Sequence, residues 1–117
     1  MEEKVKMYIS LPITGYEIEE RKFYASMAGL KASEQFMKQH HETQEVRFVT
    51  PFEVCKEPDL SYAENMGRDI TALMQSDVVG FCEGWQQSRG CRIEKAVADE
   101  MGIPTFEIDY RREEEQE

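Results

Sequence analysis

The run Asp77-Val-Val-Gly-Phe-Cys82 does most to narrow the folds open to this chain. Its apolar residues are consecutive rather than alternating, so a strand here is covered on both faces. Strands of that kind lie at the centre of parallel sheets, where helical crossovers supply the covering layers. The flanking segments fit this placement. Lys4 to Ser10 reads as a strand ended by Pro12 and Gly15, and a helix follows from about Ile18 to His40. Its apolar positions Phe23, Met27, Leu30 and Met37 are expected to face inward. Glu45 to Thr50 reads as a second strand, and Pro51 to Asp59 as a loop. Ser61, with Glu64 three residues on, forms a capping box for a helix running to about Ser76. A polar loop from Glu83 to Gln87 opens the next helix, Gly102 ends it, and Ile103 to Ile108 is the last strand. This alternation, with no hairpin signal, predicts a flavodoxin-like three-layer α/β/α sandwich around a four- to five-stranded parallel sheet.

At 117 residues, 40% hydrophobic and 32% charged, the chain is expected to form one domain with its own core. That domain spans residues 1–110. The acidic stretch 111–117 is expected to be a frayed, solvated tail. A net charge of -10 argues against a nucleic-acid polymer or an anionic membrane as partner, since both attract basic surfaces. It does not exclude a small phosphorylated ligand, which needs only local donors. No segment has the length of a membrane span, and the N-terminus lacks the apolar core of a signal peptide. The three cysteines, Cys55, Cys82 and Cys91, include no Cys-x-x-Cys pair and point to buried thiols in a reducing cytoplasm. With His40-His41 they match no zinc-ligand spacing, so neither a metal nor a cofactor is expected.

Two carboxylates stand where core helices carry aliphatic side chains. Gly90, Glu94, Val97, Ala98 and Met101 share one helical face, and Asp69 lies within the stripe Met66, Ile70, Leu73 and Met74. Buried carboxylates are costly unless paired, hydrogen-bonded or used, so Glu94 and Asp69 mark a candidate site. In parallel sheets ligands bind beyond the carboxyl ends of the strands. Tyr8 and Ser10 end the first strand there, and Leu11-Pro-Ile-Thr-Gly15 forms the loop after it. Ile13, Thr14 and Gly15 offer backbone amides and one hydroxyl, although most such loops are plain turns. Ser88-Arg89-Gly90 at a helix start suits an anion, or Ser88 is simply an N-cap. Trp85 beside Gly84 either covers a ring of the ligand or fills a gap.

Three segments resemble the nucleoside 2-deoxyribosyltransferase-like superfamily, which includes the 2'-deoxynucleoside 5'-phosphate N-hydrolases and a branch of small bacterial and phage proteins. They are Met7-Tyr-Ile-Ser-Leu-Pro-Ile-Thr-Gly15, Arg68-Asp-Ile-Thr-Ala-Leu-Met-Gln-Ser-Asp-Val-Val79 and Gly84-Trp-Gln-Gln-Ser-Arg-Gly-Cys-Arg-Ile-Glu94. In this likeness Glu94 matches the family nucleophile, Asp69 an active-site aspartate, and Tyr8 the tyrosine that hydrogen-bonds the nucleophile. Family hydrolases often carry an arginine in the first loop, where this chain has Thr14-Gly15.

The resemblance implies cleavage or transfer of an N-glycosidic bond in a nucleoside or nucleoside 5'-monophosphate, through a glycosyl-enzyme intermediate on Glu94. It implies Asp69 as the proton shuttle and Tyr8 as the group that aims Glu94. Ser10, Ile13, Thr14, Gly15, Ser88 and Gly90 would bind substrate, and Trp85 would wall its sugar or base. It also implies a homodimer or larger homo-oligomer. Two other readings stay open: a non-catalytic nucleotide-binding module of the same fold, and a structural domain that dimerises through the helix from Phe23 to Met37.

Overall fold

The computed structural model describes residues 3–12, 18–41, 43–54 and 59–110. Four parallel strands, β1 (Glu3–Ser10), β2 (Thr43–Val49), β3 (Val78–Phe81) and β4 (Thr105–Glu107), lie in the order β2-β1-β3-β4. The connecting helices are α1 (Ile18–Gln39), a single turn α2 (Pro51–Val54), α3 (Tyr62–Met74) and α4 (Arg89–Met101). A short 3-10 turn, Trp85–Gln87, precedes α4. After β2 the chain passes back across β1 to reach β3, so the direction of winding reverses. Right-handed crossovers then put α1 on one face of the sheet and α3 and α4 on the other. This is the three-layer α/β/α sandwich expected from the sequence. Among the described residues no helix is long and apolar enough to cross a membrane.

Strand β1 serves both layers because its side chains alternate. Val5, Met7 and Ile9, with Leu11, pack against Tyr24, Ala25, Ala28 and Ala32 of α1. Tyr8 faces the opposite layer and packs with Val79, Phe81, Ala72, Leu73 and Ala98. All four residues of β3 are buried, as a central strand requires. At the other edge of β4, the Gln35 carboxamide from α1 takes the place of a neighbouring strand. Its Nε2 donates to the Glu107 carbonyl (3.0 Å) and its Oε1 accepts from the Asp109 amide (2.8 Å). Covering the edge in this way removes a template for pairing with another chain.

Helix α1 departs from the expected orientation. Phe23 and Leu30 are 67% and 59% exposed, Met37 is exposed and Met27 half-buried, so the predicted inward stripe faces out. The residues against the sheet are Tyr24, Ala25, Ala28, Gly29 and Ala32. A Cβ on Gly29 would overlap the Phe48 ring of β2. The helix therefore approaches the sheet closely through small residues, and there is no room between them for a Leu or Phe face. Met74 and Met101 are likewise exposed at the ends of their helices.

The helix boundaries follow the local signals. The Ser61 hydroxyl accepts from the Glu64 amide (3.1 Å), and the Glu64 carboxylate accepts from the Ser61 amide (3.1 Å). Gly102 closes α4 at φ 70°, a left-handed conformation that other residues adopt at a cost. Replacing Ser61 by Ala should therefore lower stability by about 1 kcal/mol. A urea titration with unchanged slope and a lower midpoint would show this; an unchanged midpoint would mean that α3 does not depend on its box.

Candidate active site at the β1/β3 switch point

Between β1 and β3 the direction of winding reverses, and the region beyond the carboxyl ends of such strands is where parallel sheets place ligands. Two even-numbered residues at the end of β1, Tyr8 and Ser10, face α4. Helix α4 is set in register by Ser88, whose hydroxyl accepts from the Cys91 amide (3.3 Å). From that start, Cys91, Glu94 and Ala98 form the buried face, at three- and four-residue steps. Glu94 thus arrives over β1.

The two strand residues grip both oxygens of its carboxylate. Tyr8 Oη donates to Glu94 Oε2 at 2.7 Å, and Ser10 Oγ donates to Oε1 at 2.6 Å. Tyr8 and Ser10 are fully enclosed and Glu94 is 4% exposed. Asp69, buried on α3, is near enough for its charge to act on Glu94 and Tyr8.

Burial pushes the Glu94 pKa up to about 7, the Ser10 and Tyr8 hydrogen bonds pull against that rise, and the Asp69 charge adds to it. The Tyr8 hydroxyl is held well above its ordinary pKa by burial and then by the Glu94 and Asp69 charges, so it remains a donor through neutral pH. Burial also raises the thiol of Cys91, which the Ser10 and Ser88 hydroxyls oppose, and pushes Cys82 up to about 12. Neither thiol is a ready nucleophile. The group poised to change charge near neutrality is a carboxyl with two fixed donors. Such a group suits proton transfer or attack on an electrophilic carbon.

The structure brings Tyr8, Ser10, Asp69 and Glu94 together, with Ser88 and Gly90 at the start of α4. Gly90 sits where α3 and α4 converge; a Cβ there would lie 3.6 Å from Met66 Sδ and 3.8 Å from Tyr62 Oη. Trp85 packs against the apolar cluster that contains Tyr8. Its ring packs on Phe81 (5.3 Å between centroids) and its Nε1 donates to Glu107 Oε2 (3.1 Å). With Glu107, Asp109 and Tyr110 it lines a cavity of about 680 Å³ beside β4, whose walls include none of Tyr8, Asp69 and Glu94. Ser10 was expected to bind substrate, yet its hydroxyl is given to Glu94. Ile13, Thr14 and Gly15 lie outside the described residues. Cys91 joins the cluster three residues before Glu94, a spacing that was visible in the sequence. Nothing in the sequence pointed Glu107 at Trp85. Among the described residues no three His, Cys, Asp or Glu side chains gather as metal ligands.

A family model described as a domain of unknown function (DUF4406) matches residues 5–107, from β1 through β4 and across every buried residue of the site. The chain belongs to the DUF4406 family. No curated protein matches it. The DUF4406 match covers the fold and the four clustered side chains alike, so the site is built from the family domain itself.

The elevated Glu94 pKa makes a stability prediction with a definite sign. Between pH 4.5 and about 7 the folded chain keeps a proton that the unfolded chain has released. The contribution of Glu94 to stability is therefore most favourable below pH 4.5, falls as pH rises to about 7, and levels off above. E94Q cannot titrate, so its stability relative to wild type should grow across this window, by on the order of 3 kcal/mol. Melting curves collected from pH 4 to 8 test this, and a difference that stays constant with pH would refute the buried-acid assignment.

Proposed function

We propose that this DUF4406 chain cleaves or transfers the N-glycosidic bond of a nucleoside or nucleoside 5'-monophosphate, acting as a cytoplasmic homodimer. The observation that carries the reading is the Glu94 carboxylate, buried beside Asp69 with both oxygens held by hydroxyls at a topological switch point. The resemblance of the Met7–Gly15, Arg68–Val79 and Gly84–Glu94 segments to nucleoside deoxyribosyltransferase-like proteins supports it further. So does the acidic surface, which suits a small substrate rather than a nucleic-acid polymer.

In this mechanism one Glu94 oxygen attacks C1' of the sugar as the bond from C1' to the base nitrogen breaks. The bonding pair leaves with the base, and Asp69 supplies its proton. The product is a glycosyl ester on Glu94, as in retaining glycoside hydrolysis. The hydroxyl on the other carboxylate oxygen keeps the ester oriented. Water then attacks C1' with Asp69 taking its proton, which frees the sugar; a second base in place of water gives transfer. Ser88 and Gly90 at the start of α4 offer amides and a hydroxyl to the 5' group.

A non-catalytic nucleotide-binding module is the second reading, and two observations favour it. Glu94 is buried, and the cavity lined by Trp85 includes neither Glu94 nor Tyr8. In that case ligand binds without bond cleavage.

Incubation with ribo- and 2'-deoxyribonucleosides and their 5'-monophosphates, with chromatography for free base, separates the two. Glycosidic cleavage predicts base release that falls on the order of 10³-fold or more in Glu94→Ala. It also predicts a rate that increases as pH rises through about 7, because the nucleophile must be ionised. Thermal stabilisation by nucleotides that survives in Glu94→Ala, with no base released by wild type, would reject the enzyme in favour of the binding module.

A further inference from the structure

Beyond the carboxyl ends of β3 and β4 lies the cavity of about 680 Å³ that the Glu94 chemistry does not use. Its size suits a small organic ligand. Two segments build it. The loop after β3 brings Glu83 and Trp85, and the end of β4 with the residues after it brings Glu107, Asp109 and Tyr110. Both aromatic rings are held by other rings: Trp85 packs on Phe81, with 5.3 Å between centroids, and Tyr110 on Tyr24, with 5.8 Å. The indole is fixed further by its hydrogen bond to Glu107 Oε2, so ring and carboxylate keep a set arrangement.

The chemistry of the lining narrows what fits. Glu83, Glu107 and Asp109 are all exposed, and among the described residues the lining includes no lysine, arginine or histidine. Lys95 and Arg92 stand near the loop, but both are engaged. Lys95 Nζ lies 6.0 Å from the Trp85 ring and pairs with Asp99 (2.8 Å), while Arg92 donates to the Gln86 carbonyl (2.8 Å). A phosphate is repelled from such a lining, within a chain whose net charge is already -10. A neutral apolar ligand would strip water from the carboxylates without pairing them. A single metal ion fits no better, because among the described residues no three His, Cys, Asp or Glu side chains gather as its ligands. The carboxylates are instead set apart, in a cavity that also presents aromatic surface. A ligand that matches both features carries several positive groups separated by an apolar chain.

We infer that this cavity binds a linear aliphatic polyamine, with ammonium groups at Glu107 and Asp109 and the methylene chain against Trp85 and Tyr110. Ammonium groups gain from charge-assisted hydrogen bonds to the carboxylates and from the negative faces of the rings, and the methylenes gain from covering apolar ring surface. The site is separate from Glu94, since its walls include none of Tyr8, Asp69 and Glu94. A polyamine would bind there whether or not the chain cleaves a glycosidic bond.

Trp85 is the only tryptophan of the chain, so its emission reports on the cavity directly. Titration of the full chain with spermidine at constant ionic strength should give a saturable change in that emission. The double variant Glu107→Gln, Asp109→Asn should weaken binding by roughly 10-fold. Both positions are exposed, and a carboxamide at 107 can still accept from the indole, so the variant should keep the wild-type circular dichroism spectrum. No saturable change in wild type would overturn the proposal, as would binding that the double variant leaves intact. An equal response to Mg²⁺ would overturn it in favour of charge screening, and an equal response to 1,6-hexanediol in favour of apolar filling. Binding that appears only once Arg111 and Arg112 are both replaced by Ala would also overturn it, because the chain's own cations would then be the occupants.

Discussion

The Tyr8 and Ser10 hydroxyls hold a buried carboxylate, and much of the architecture is needed to make that possible. Both donors come from one strand and from one face of it. β1 must therefore lie inside the sheet, with its odd residues in the α1 core and its even residues under α4. A slip of one residue in its pairing with β3 would turn both hydroxyls toward α1. The acceptor depends on the Ser88 cap, because moving the start of α4 by one residue rotates Glu94 by about 100° away from β1. Strand register and helix register thus meet at a single carboxyl group.

Much of this was legible in the sequence, for identifiable reasons. Element order came from the consecutive apolar residues of β3 and from punctuation: Ser61 and Glu64 at one helix start, Gly102 at another helix end. The burial of Glu94 and Asp69 came from helical spacing, which places a side chain on a face whatever its chemistry. Helix α1 misled because it carries two stripes at helical spacing. One is bulky and apolar, the other is Tyr24, Ala25, Ala28 and Ala32, and hydrophobicity alone favours the first. The distance between helix and sheet chose the second, and a one-dimensional pattern does not contain that distance. The partners of Ser10 and Trp85 were illegible for a related reason. Glu94 is 84 residues from Ser10 and Glu107 is 22 from Trp85, and which of several nearby groups a hydroxyl or indole reaches depends on the folded geometry.

The carboxyl end of the sheet has two regions of different character. On the β1 side the groups are enclosed, hydrogen-bonded to one another and electrostatically coupled. On the β4 side lies an open cavity whose lining includes the indole, Tyr110, Glu83, Glu107 and Asp109. The Trp85 hydrogen bond to Glu107 ties the loop after β3 to the end of β4.

Stability alone gives no reason for the chain to keep this arrangement. A buried acid whose pKa is raised to about 7 opposes folding at neutral pH, and apolar residues of similar volume at positions 8, 10 and 94 would remove that cost. The hydrogen-bond partners that hold Glu94 are hydroxyls rather than cations, and the Asp69 charge has the same sign. What the cluster does provide is a carboxyl group whose proton is loosely held near neutral pH and whose orientation is fixed from both oxygens. Those properties contribute little to holding α4 on the sheet, and they are the ones that a reaction at an electrophilic carbon uses.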